Sequence, residues 1–147
     1  QRIWLLPRET SPVAVEQAYR VILSPSGPDL PRYSLPLFRG HAAPLARPDL
    51  HAGIESDTSQ PLLRLHNAGT VHARLHDLAF VAGDGRRTLL LPGLAGYLLA
   101  GRERRWALPV HADGYAGGHF QARLQDGRVV DLTAPDPAIA ASAPSGL

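Results

Sequence analysis

LLRLHNAGTVHARLHDLAF, residues 62–80, is the stretch that decides the fold. On either side of Asn67-Ala68-Gly69 it alternates apolar and polar residues, the period of a half-buried strand and not of a helix. Asn and Gly tolerate the positive φ that a reversal needs, so the predicted break falls between two strands. Downstream come an Arg-Arg turn, then LPGLAGYLLAG at 91–101 and RRWALP at 104–109. Each is a short β-rich run closed by Gly or Pro.

Extended across the chain, the same pattern predicts strands at 52–56, 62–66, 71–81, 87–91, 97–99, 105–109, 119–124 and 129–132. Gly83-Asp84-Gly85, Asp113-Gly114 and Asp126-Gly127 supply turns between them. About eight short strands with a turn every ~8–12 residues are the signature of an immunoglobulin-like β-sandwich. The predicted class is therefore all-β, with one complete sandwich over 50–133. Three further strands are expected upstream, at 2–6, 18–23 and 33–38. A piece of about 40 residues buries too little surface to fold alone, so residues 1–39 read as the closing strands of an N-terminal immunoglobulin-like domain whose front half is missing. Residues 40–49, GHAAPLARPD, lack periodicity and read as a linker. The tail, 134–147, has almost no apolar periodicity and is expected to be disordered.

Composition sets the limits on function. Of the 147 residues 44% are hydrophobic, enough for a real core, while 14 Pro and 14 Gly keep elements short. All 15 basic residues are Arg, balanced by 13 acids to a net charge of +2. The arginines are scattered and not interleaved with aromatics, which argues against nucleic acid as a partner. No apolar run approaches the ~18 residues of a membrane span, so membrane insertion is not expected. The absence of Cys excludes a disulfide scaffold and suits both a reducing cytosol and a periplasm.

No catalytic centre or cofactor site emerges. His72 and His76, on one face of a strand, stand about 13 Å apart, too far to share an ion. His66 and His72 flank the Asn67 turn and could face each other across a hairpin, but two ligands without a third do not make a metal site. No Ser lies in a nucleophile elbow, and Gly93, Gly96 and Gly101 precede no helix that could hold phosphate. The acid pairs Asp126/Asp131 and Glu9/Glu16 fall on loops or strand edges. Trp106 and Tyr97, flanked by Leu, are expected in the core. The strand at 33–38 is different: Tyr33, Leu35 and Leu37 project to one face, and Arg32, Ser34, Pro36 and Phe38 to the other. That apolar row either fills its own core or is offered to a partner.

The order L-x-L-x-N-x-G-x-x-H-x-R-L-x-x-L, then G-L-x-G-Y-x-L-x-G, then R-x-W-x-L-P resembles the second domain of PapD-like periplasmic chaperones of pilus and fimbrial subunits, including the spore-coat-U type. EQAYRVIL (16–23) and RYSLPLF (32–38) resemble the last two strands of that family's first domain, in the right order. The resemblance implies a non-enzymatic protein of the periplasm that binds pilus or fimbrial subunits and passes them to an outer-membrane usher. It implies donor-strand complementation, in which Tyr33, Leu35 and Leu37 supply the strand a subunit lacks. It further implies interdomain contacts by Glu16, Arg39 and Asp113, the last in ADGYAGG. Where relatives carry a basic residue before Leu-Phe to hold the subunit's terminal carboxylate, this chain has Pro36, with neither charge nor N–H. The alternatives are an adhesive or carbohydrate-binding sandwich, with Trp4, Tyr19 and Trp106 exposed for stacking, or a non-functional fragment.

Overall fold

The computed structural model describes residues 4, 8, 13–27, 30–40, 46–55 and 60–132. The expected strand at 2–6 lies outside them apart from Trp4, which is exposed and in no strand, and the tail at 134–147 lies wholly outside. All regular structure among the described residues is β. Two strands, β1 (Gln17–Leu23) and β2 (Tyr33–Arg39), pair antiparallel as a separate sheet. The others are β3 (Leu50–Glu55), β4 (Leu62–Asn67), β5 (Ala73–Val81), β6 (Arg87–Leu98), β7 (Glu103–Ala107), β8 (His119–Arg123) and β9 (Val129–Leu132). They form a three-stranded sheet in the order β3-β4-β7 and a four-stranded sheet in the order β6-β5-β8-β9.

Both sheets contribute to one apolar core, an arrangement consistent with a β-sandwich. The alternation read from sequence places it: Leu50 and Ala52 from β3 and Leu63 and Leu65 from β4 meet Leu75 and Phe80 from β5, Phe120 and Ala122 from β8 and Leu132 from β9. Full burial of a Leu or Phe side chain contributes about 1.5–3 kcal/mol, so this shared core is what holds the two-sheet body together. Trp106, 8% exposed, lies in it and donates its indole N–H to the Ala95 carbonyl at 3.0 Å.

The structure places Tyr97, expected in the core, outside the buried cluster and only partly buried, and it corrects the strand reading at three places. The Asn67-Ala68-Gly69 segment is a crossing between sheets and not a hairpin, because β4 pairs with β3 and β7 while β5 pairs with β6 and β8. His66 and His72 therefore do not face each other across a pair of strands. The two strands expected at 87–91 and 97–99 are one, β6, which runs through Pro92, Gly93 and Gly96. Gly93 at φ 70° and Gly96 at φ 141° supply backbone turns inside that strand that other residues rarely adopt. Residues 71 and 72 precede β5 and lie outside the ladder.

Within β5 the inward set changes parity. Ala73 and Leu75 are buried on odd numbers, Leu78 and Phe80 on even ones. The pairing with β6 shifts register between Leu75 and Ala79, and Asp77 takes φ 50° there. One extra residue in a strand moves every later side chain to the other face.

Candidate functional site

The β1–β2 hairpin carries the residues singled out by sequence. Its register pairs Tyr19 with Leu37, Val21 with Leu35 and Leu23 with Tyr33. Directly opposed residues share a face, so six large apolar side chains lie together on one side of a two-stranded sheet. Tyr33, Leu35 and Leu37 are 53%, 48% and 41% exposed. They are not the interior of a core in this structure. The opposite face carries Ala18, Arg20, Ser34, Pro36 and Phe38, and across a groove of about 510 Å³ it meets Tyr97, Leu99 and Arg104 of the two-sheet body.

The hairpin is joined to the body just before β1 and at the end of β2. The Glu16 amide donates to the Thr70 carbonyl at 2.8 Å. The Glu16 carboxylate accepts from the His72 backbone N–H at 3.1 Å and from its ring Nδ1 at 2.5 Å. An acceptor-only carboxylate facing Nδ1 selects the tautomer that carries its proton there. Phe38 stacks on the same imidazole, with ring centroids 3.7 Å apart and planes 8° from parallel. Tyr97 closes the cluster at 5.7 Å from Phe38 and 5.9 Å from His72.

Of the three residues expected to bridge two domains, Glu16 thus contacts the body through His72. Arg39, at the end of β2, reaches Gln17 Oε1 at 3.5 Å. Asp113 is exposed in the turns at 112–117, where its carbonyl accepts from the Ala116 amide. His72 and Phe38 were not among the expected site residues. Their partnership joins positions far apart in the chain, and the only sequence signal near it is Glu16 itself.

Local structure holds His72 in place. Asn67, fully buried at the end of β4, donates from Nδ2 to the Val71 and Leu98 carbonyls and accepts at Oδ1 from the Asp49 and Gly69 amides. All four hydrogen-bonding positions of the amide are used. The 67–71 crossing is thereby tied to the segment before β3 and to the end of β6. Gly69 allows the close approach: a Cβ there would lie 2.6 Å from the Arg47 carbonyl oxygen and 2.7 Å from the Asp49 nitrogen.

On the four-stranded sheet, Asp77 fixes the β5 irregularity. Its carboxylate accepts from the Gly93 amide at 2.7 Å and from the Arg123 guanidinium. The Gly93 bond first, then Arg123, holds the Asp77 carboxyl below its ordinary range. On the outer face of the other sheet, Arg64 and Arg105 alternate with Glu55 and Glu103 in an exposed ion-pair ladder, a solvated face by its chemistry. Among the described residues no group of three or more His, Asp or Glu is placed to share a metal ion. No protein-family model and no curated protein matches the chain.

Proposed function

We propose that this chain is a binding protein that captures a pilus or fimbrial subunit by strand addition at β2, in the manner of the PapD-like chaperones it resembles. The observation that carries the reading is the row Tyr33, Leu35 and Leu37, held extended on a two-stranded sheet and about half exposed. A subunit that lacks a strand offers an open edge and an unfilled core. A strand lying along that edge gives main-chain hydrogen bonds, and alternate side chains entering the core give selectivity. Leu35 and Leu37 are already about half buried, so each adds on the order of 1 kcal/mol on insertion, and with Tyr33 they favour a matched client over an unmatched one.

On this reading the two-sheet body is an immunoglobulin-like domain, a class supported by its β3-β4-β7 and β6-β5-β8-β9 order. The hairpin is the closing part of a second such domain. The protein works in the periplasm and delivers its client to an outer-membrane usher, without catalysis or a cofactor. Of the three residues a sugar-binding platform would use, Trp4 and Tyr19 are exposed, but Trp106 is buried with its N–H already bonded and is not available for stacking. The test is co-purification of the chain with pilus subunits from which the last strand has been removed. Capture by the native chain and its loss in Leu35→Asp are expected; equal capture by both overturns the assignment of β2.

A further inference from the structure

Among the described residues, the hydrogen bonds and ring contacts that join the hairpin to the two-sheet body lie at one end of it. Glu16 and Phe38 lie at the same end of the two-stranded sheet, where Ala18 pairs with Phe38, and both close on His72. Toward the other end, where Leu23 pairs with Tyr33, residues 20–27 and 30–37 make no hydrogen bond, ion pair or ring contact with the two-sheet body among the described residues. The groove opens between Ser34 and Pro36 on the hairpin and Leu99 and Arg104 on the body. A sheet clasped at one end above an open space is a lever with its pivot at the clasp.

We infer that His72 is the positioning residue of the binding hairpin, and that its ring, gripped by the Glu16 carboxylate and the face of Phe38, sets the direction in which β2 presents its apolar row. The ring does two jobs that a smaller side chain cannot do together: it donates from Nδ1 to Glu16 and offers a flat face to Phe38. Phe38 adjoins Leu37, so the stack orients the strand itself. The importance of this direction for a client rests on the strand-addition reading, whereas the pivot follows from the contacts alone. The pivot also differs from an arrangement in which Glu16, Arg39 and Asp113 bridge the two parts, because the group that receives Glu16 is His72.

The absence of Cys allows a direct measurement. Spin labels at Ser24→Cys, beyond the free end of β1, and Thr88→Cys, exposed on β6, report the distance between hairpin and body in the full chain. The expected native result is one narrow distance distribution. His72→Ala broadens and shifts it, and so does Glu16→Ala, which lies outside the two-sheet body and leaves its core intact. His72→Asn, whose side-chain N–H can reach the carboxylate, restores part of the native distribution. Unchanged Trp106 fluorescence verifies that the body is folded in each variant. Native-like distributions in both alanine variants, or a broad distribution in the native chain, overturn the inference. The readout is intramolecular, so a failure to capture any subunit does not alter it.

Discussion

Asn67 shows how much one polar side chain can organise when every hydrogen-bonding position is used. Its amide bonds to four backbone groups from inside an otherwise apolar core. Replacement by Ala strands several buried backbone groups at once, at about 1–3 kcal/mol for each that water cannot reach. Asn67→Ala is therefore expected to lower stability by roughly 3 kcal/mol or more in urea unfolding; a loss under about 0.5 kcal/mol contradicts this account of the crossing. Gly69→Ala tests the same crossing sterically, since its Cβ would press on backbone at Arg47 and Asp49. A cost of about 1–3 kcal/mol is expected. Asp77 adds a pH dependence. Its carboxyl titrates below the ordinary 3.8 in the folded state, so the unfolded chain binds protons more readily. The resulting stability is present above that value and is lost as the pH falls through the folded one. Asp84 and Asp126, lowered by the amides of Arg86 and Arg128, act in the same direction. Asp77→Asn is expected to be less stable at neutral pH and to lose less as the pH falls through the ordinary 3.8 and below it.

At the scale of elements, the strands legible in the sequence are those in which alternation is local and complete. In β4, Leu63, Leu65 and Asn67 face in while Leu62, Arg64 and His66 are only partly buried, as period 2 requires. In β8, Phe120 and Ala122 follow the same rule. Legibility fails where tertiary partners decide. The change of parity in β5 depends on Asp77 meeting Gly93 and Arg123, which lie sixteen and forty-six positions away. The continuity of β6 through Pro92 and two glycines depends on its pairing with β5. The Asn-Ala-Gly segment carried a turn signal, but its backbone needs no positive φ at Asn67 or Gly69. Asn there serves as a buried hydrogen-bonding hub, and Gly allows close packing. The apolar row on β2 was legible because it depends only on alternation. Its clasp was not, because neither His72 nor Phe38 bears any local mark of the other.

At the scale of the whole molecule, the chain combines a well-filled two-sheet body with a hairpin whose apolar side is open. The two tryptophans separate these environments. Trp106 is buried and Trp4 is 79% exposed, so iodide is expected to quench one component of the fluorescence and leave the other, and Trp106→Phe should remove the protected one. Quenching of both to the same extent contradicts the burial of Trp106 in solution. The exposed apolar row on the two-stranded sheet is expected to favour self-association of the chain alone, because exposed apolar strands tend to pair at their edges. Leu35→Asp is expected to reduce that tendency and abolish subunit capture together. The most direct test of strand addition is amide hydrogen exchange of this chain with and without a pilus subunit lacking its last strand. Slowed exchange concentrated at residues 33–39, with β3 to β9 unchanged, is the predicted result. Binding that leaves those amides unprotected, or protects only the two-sheet body, contradicts it.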